Sequence, residues 1–221
     1  MAIGMSRIIN KRSAKSAIAI IADGEDEQWY LAQAKEHYPN ETLKHTKLKP
    51  EMSQSKKSQD LFMAAKEMID MGYTHVVLIV DLVTVRKDPK DLNSFKELYK
   101  RYKNAKEGRV KKNDKWINRL IVLVNNPCLE FWYLLHYKQT TKFYQDYDCL
   151  KRDLRKIPSL SQYEKSESYY YSNPDIFMRL GGNEGLTIAR SNSSLHDFSI
   201  DECSNHGISE MRLLFDFIDT M

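Results

Sequence analysis

Apolar residues fill consecutive positions in three short stretches of the chain: Ala17 to Ala22, His75 to Val80 after its first residue, and Leu120 to Val124. A segment apolar on both alternating sets suits a strand covered on both faces. Between these stretches the spacing changes to that of helices. Trp29, Tyr30, Leu31 and Ala34 predict one helix, which stops before Pro39. Leu61, Phe62, Ala65, Met68 and Ile69 predict a second, with Ser58 as its cap and Gly72 as its stop. Asp88-Pro89 opens a third, long and amphipathic, with Leu92, Phe95, Leu98, Tyr99 and Tyr102 inward. A basic loop, Lys103 to Lys115, leads from it into the strand at 120–124. Leu43 to Leu48 has a polar, lysine-rich middle and reads as a strand near an edge. Strand and helix therefore alternate through residue 137, the pattern of an α/β fold with a mostly parallel sheet flanked by helices.

Beyond Tyr137 the pattern is mainly helical, with helices expected over 143–154, 186–195 and 209–221. The expected organisation is a flexible basic tail (1–16), an α/β core (17–137) and a helical C-terminal part (138–221) packed on the core without a linker. The tail carries Arg7, Lys11, Arg12 and Lys15 but no apolar core, so it does not read as a secretory signal. No apolar run approaches the ~20 residues that span a bilayer, and no membrane association is expected. Cys128, Cys149 and Cys203 are scattered and odd in number, which argues for a reducing, cytoplasmic setting over a disulfide framework. They also lack zinc-site spacing.

Charge is unevenly spread. The net charge is +4, but residues 86–119 hold 13 Lys/Arg against 5 Asp/Glu, an excess of eight, and the remainder is net negative. Lys100, Arg101, Lys103, Arg109, Lys111 and Lys112 in this stripe are candidates for nucleic-acid contact. A solvated helix face and a surface loop would look the same.

The candidate chemistry lies where the strands end. Asp23, Asp81 and Glu130 each follow a different buried strand, and parallel strands gather their C-termini on one edge. Asn126 can cap a helix whose first position is Pro127, placing Glu130 in the first turn. There it either joins a site or simply complements the helix dipole. Convergent carboxylates repel unless a cation sits among them. Mg²⁺, or Mn²⁺, suits such oxygen ligands and could serve phosphodiester cleavage. The chain has no Gly-x-Gly-x-x-Gly fingerprint and no Walker loop. His136 lies about 120° round the helix from Glu130 and reads as a hydrogen-bonded core residue. Cys128, near a helix start, could have a lowered pKa, but no base partner accompanies it.

Asn126-Pro127-Cys128-Leu129-Glu130-Phe131-Trp132-Tyr133-Leu134-Leu135-His136-Tyr137 resembles the signature of the RloB-like family. Asp23-Gly24-Glu25, with Glu27, Trp29 and Tyr30, is similar to that family's Glu-Gly-Glu-x-Glu-x-x-Tyr element. Asp81-Leu82-Val83 stands where the family carries Asp-x-Asp, and Tyr163-x-Lys165 resembles a later Tyr-x-Lys element. The resemblance implies a Toprim-like (Rossmann-like) sheet and a Mg²⁺-dependent nuclease role in phage defence. It also implies a neighbouring ATPase as partner in some systems. Asp23, Asp81 and Glu130 would be catalytic, with Glu25 joining them as metal ligands and Lys165 meeting a phosphate. Asp23 in place of Glu and Val83 in place of the second Asp would weaken the metal site. The alternative is a non-catalytic nucleic-acid-binding or assembly module.

Overall fold

The computed structural model describes residues 17–22, 24–49, 57–193, 199–200 and 205–221. The expected tail, 1–16, together with Asp23 and Cys203, lies outside them.

The first strand, β1 (Ile18–Ala22), leads to helix α1 (Glu25–His37), a short helix α2 (Glu41–His45) and strand β2 (Lys47–Lys49). Helix α3 (Ser58–Asp70) precedes β3 (His75–Asp81), the turn-like α4 (Leu82–Val85) and the long α5 (Pro89–Lys106). A 3₁₀ segment (Lys112–Arg119) then feeds β4 (Leu120–Asn126). Helices α6 (Glu130–Leu135), α7 (Tyr147–Leu154), α8 (Glu167–Tyr170), α9 (Ile176–Arg179) and α10 (Gly182–Asn192) follow. Strand β5 (Ile208–Ser209) and helix α11 (Met211–Asp219) end the described chain. The sheet order is β2-β1-β3-β4-β5. The first four strands run parallel and β5 pairs antiparallel with β4.

Alternate residues of a strand face opposite sides, and here both sides are dry. Ile18, Ile20, Val77, Ile79 and Leu123 point into a cluster shared with Trp132, Leu150, Tyr170, Phe177 and Phe215. Ala19, Ile21, Val76, Leu78, Val80, Val122 and Val124 point the other way, onto Leu61 and Phe62 of α3 and Phe95 of α5. The apolar runs thus form doubly covered strands, and the C-terminal half shares one continuous core with the sheet. Among the described residues no helix is long and apolar enough to cross a membrane.

Several local expectations change. The stretch expected as a strand from Leu43 begins instead as helix α2, because the Asn40 side chain accepts the Leu43 N–H at 3.0 Å and caps it. Only Lys47–Lys49 extends, at the sheet edge. Ser58 is inside α3 and not its cap; its N–H donates to Asp91 at 2.8 Å. Asn126 ends β4 and does not cap a helix. The Asn126–Pro127 bond is cis, α6 starts only at Glu130, and the Asn126 amide instead links Arg86 to the His206 carbonyl. The expected loop at 103–115 is helical to Lys106. The helix expected over 143–154 starts at Tyr147, where Asp146 accepts the Cys149 N–H at 2.8 Å. The helix expected from Leu186 begins earlier, at Gly182. The helix expected from Ser209 is preceded by β5, a two-residue strand too short to leave a periodic signature.

Two positions give testable stability effects. A Cβ on Gly185 would collide with the Leu180 carbonyl oxygen and press on His136. Gly185→Ala should therefore cost about 1–3 kcal/mol by overpacking, read as a lower midpoint in urea. Glu210 accepts the Val124 N–H at 2.8 Å, and burial pushes its carboxyl up to about 7. The folded state thus holds that proton more tightly than the unfolded one, so the contribution is full below the ordinary carboxyl range and is lost as pH rises through about 7. Wild type should lose melting temperature between pH 5 and about pH 8, a loss that Glu210→Gln should largely abolish in a thermal scan.

Candidate metal and nucleic-acid site

Parallel register sets the site's frame. Asp81 is the last residue of β3 and pairs in register with Asn125 of β4. The Asn125 amide donates to one Asp81 oxygen at 3.2 Å, and the Leu129 N–H donates to the other at 3.2 Å. Ser209 in turn donates to Asn125 at 2.7 Å, so β5 buttresses Asp81 through one intermediary. Glu130, wholly buried, accepts the Tyr163 hydroxyl at 2.8 Å through Oε1. Its other oxygen, Oε2, has no hydrogen-bond partner. The Tyr163 hydroxyl is also 2.7 Å from that of Tyr170, which accepts from Tyr133 at 3.2 Å.

The N-terminal contribution comes from α1. Asp26 and Glu27 are buried, whereas Glu25 is exposed. Of the acids at the start of α1, it is Asp26 and Glu27, and not the expected Glu25, that lie beside Asp81. Helical phasing explains the swap: Asp26 and Glu27 stand one turn before buried Tyr30 and Leu31, on the inward face. Glu27 reaches back to accept the Gly24 N–H at 2.9 Å. A Cβ on Gly24 would strike both carboxylates, so only glycine lets them fold in so closely.

Two sets of potential ligand atoms each fall within 4.8 Å of one another: Asp26, Glu27 and Asp81; and Asp81, Cys128 and Glu130. Asp81 belongs to both. Lys165 enters the same volume, its ammonium 2.7 Å from Asp26, 3.3 Å from Glu130 and over the Tyr147 ring at 5.2 Å. Burial alone would depress this ammonium, but Glu130, Asp26, Asp81 and Glu27 outweigh it and hold the proton on. The Asp26 carboxyl is raised by burial and then by Glu130, against the opposing pull of Lys165. One lysine thus does not balance the acids.

Asp81 and Glu130 are brought together as expected, while Asp23 lies outside the described residues. Lys165, expected to meet a phosphate, pairs here with the carboxylates of Asp26 and Glu130. Val83, half-buried, packs against the apolar cluster and offers no ligand atom. His136 is a core residue: its Nδ1–H donates to the Leu180 carbonyl at 2.9 Å, and burial holds its pKa down at about 3. Cys128 is not activated; burial, then Glu130 and Asp81, push its thiol well above the usual range. The basic stripe sits elsewhere. Lys100, Arg101 and Lys103 lie on the second half of α5, and Arg109, Lys111 and Lys112 on the turn that feeds the start of β4. Arg101 pairs there with Asp114 at 2.6 Å, and Arg109 with Glu107. That is the opposite edge of the sheet, roughly 20 Å away at ~3.3 Å per strand residue.

The family's model matches residues 18–216, nearly the whole chain. The chain belongs to the RloB-like family. Searches of curated proteins and of solved structures returned no match. In this RloB-like chain the signature string around Glu130 is largely core. Phe131, Trp132, Tyr133, Leu134 and Leu135 are all buried, and only Glu130 turns its carboxylate toward the other acids.

The donor set fits a divalent cation: clustered carboxylates, a buried Glu130 oxygen without a hydrogen bond, and excess negative charge. Asp26, Glu27, Asp81 and Glu130 would hold it, with Lys165 as the competing cation. Lys165→Met should therefore melt lower than wild type in chelator, since removing one partner strands buried charge. It should also bind Mn²⁺ more tightly in a calorimetric titration, with a larger Mn²⁺-induced rise in melting temperature.

Proposed function

We propose that this protein is a metal-dependent phosphodiesterase acting on nucleic acid, built on a Toprim-like version of the parallel sheet. The observation that carries the reading is the buried convergence of Asp26, Glu27, Asp81 and Glu130 from three strand ends, with the Lys165 ammonium set among them. Bound Mg²⁺ or Mn²⁺ supplies Lewis acidity at a phosphate oxygen and lowers the pKa of a coordinated water.

The chain's own groups do the rest. Asn125 and the Leu129 N–H hold Asp81 in one orientation. Tyr163 bonds one Glu130 oxygen, and the other is buried without a hydrogen bond. Lys165, about a third exposed, stands at the boundary between the acids and solvent. With a cation held by the carboxylates, the Lys165 ammonium would be available to a phosphate oxygen as a point charge. The family resemblance extends the reading to phage defence, in a cytoplasmic setting and with a neighbouring ATPase as partner.

A second reading rests on one observation, the Lys165 ammonium lying among the acids where a metal would lie. In that reading Lys165 is the permanent counter-ion and the fold serves as a non-catalytic binding or assembly module. Incubating the purified protein with plasmid and with RNA in Mn²⁺ separates the two. The first reading expects cleavage, reduced at least ~100-fold in Glu130→Gln and Asp26→Asn, as removal of a charge-stabilising group at a reacting centre does. Nucleic acid bound but left intact at every Mn²⁺ concentration would establish the second.

A further inference from the structure

A second charged feature lies on the same rim as the acids. Residues 138–145 run back across the C-terminal edge of β4, tied there by the Gly207 N–H donating to the Thr141 carbonyl at 3.0 Å. Arg86, which bonds Asn126 at the end of β4, places its guanidinium 5.9 Å from the centre of the Phe143 ring. Between this segment and α7 is a groove of about 540 Å³ lined by Lys142, Phe143, Tyr144, Arg152, Asp153 and Lys156 among others. A neighbouring hollow of about 370 Å³ shares Lys142, Asp153 and Lys156 and adds Lys138.

The cations are held in place. The mostly buried Asp153 accepts Lys142 through one oxygen and Lys156 through the other, both at 2.7 Å, and the Tyr144 hydroxyl at 2.8 Å. These three donors keep the Asp153 carboxyl well below its ordinary range. One carboxylate thus organises a wall on which cations outnumber it, and Arg152 contributes a guanidinium that donates to the Cys149 sulfur at 3.1 Å. Phe143, half-buried, offers a flat apolar surface within the same groove. Cations that track a backbone combined with an aromatic platform suit single-stranded nucleic acid.

Helix α7 separates the groove from the acids. Its Tyr147 faces Lys165 and Lys151 stacks over Tyr147, whereas Arg152 and Asp153 turn to the groove. A helix is about 10 Å across, so a strand crossing α7 would have only one or two backbone units between groove and carboxylates. The basic stripe at 100–112, on the far edge of the sheet, has no such relation to the acids.

We infer that this groove, and not the basic stripe, seats the phosphates of a single-stranded nucleic acid whose reacting bond lies at the acid cluster. The inference rests on the nucleic-acid reading above and names the strand's path. Its test is binding of a fluorescein-labelled single strand of about 16 nucleotides, in EDTA, followed by anisotropy across a salt series. Lys142→Gln/Arg152→Gln/Lys156→Gln should weaken binding at least ~10-fold and lower the log–log salt slope by about two, at ~0.7 per phosphate contact. Lys111→Gln/Lys112→Gln should change neither. Arg152→Glu, which leaves the Asp153 clamp untouched, should show the same direction if the triple variant melts early. Phe143→Ala should weaken the single strand more than a duplex of equal length.

Cleavage in Mn²⁺ is scored separately. Binding lost in the groove variants, with no cleavage by any protein, keeps the groove and removes the nuclease reading. Cleavage that depends on Glu130 but is indifferent to the groove variants removes the groove and keeps the nuclease. No binding by wild type, equal losses at Lys111/Lys112, or equal affinity for duplex with Phe143→Ala silent, overturns the inference.

Discussion

Buried like charge is the constraint from which the rest of this structure follows. Carboxylates from β3, α1 and α6 share a volume that water does not freely reach, and each would shed its charge or open the fold without compensation. The protein answers with donors fixed in advance: the Asn125 amide, the Leu129 N–H, the Gly24 N–H, the Tyr163 hydroxyl and the Lys165 ammonium. They come from three separate parts of the chain. The helical C-terminal half therefore supplies two of the groups, Tyr163 and Lys165, that make the acids tolerable.

This arrangement also explains why the two halves share a core. Tyr163 can reach Glu130 only because Tyr133, Tyr163 and Tyr170 pack ring against ring beneath it, with Trp29 of α1 against Tyr170. Aromatic contacts of this kind contribute modestly beyond their buried area. Their larger effect here is to fix the hydroxyl that meets the buried carboxylate. Packing and electrostatics are thus one problem, solved by the same side chains.

The sheet was legible in the sequence because its central strands are buried on both faces, so Ile18–Ala22, Val76–Val80 and Leu120–Val124 carry unbroken apolar runs. The gathering of Asp81 and Glu130 was legible for a related reason: parallel topology fixes where strand ends lie. What escaped was side-chain direction. Glu25, Asp26 and Glu27 are chemically alike in the sequence, and only the phase relative to Tyr30 and Leu31 separates the exposed acid from the buried two. Lys165 was singled out by the resemblance, but its carboxylate partners escaped because Asp26 and Glu130 are remote from it in the chain. The basic stripe shows the reverse case: its charge is evident from composition, but its position at the far edge follows from the direction of α5, which charge counting ignores.

The brace on Asp81 carries a further implication about timing. Asp81 is oriented by Asn125, and Asn125 is oriented by Ser209, a residue near the C-terminal end of the chain. During synthesis the acids of β3 and α6 leave the ribosome long before that last support. A nascent chain therefore holds its carboxylates without that strut until residue 209 has been made.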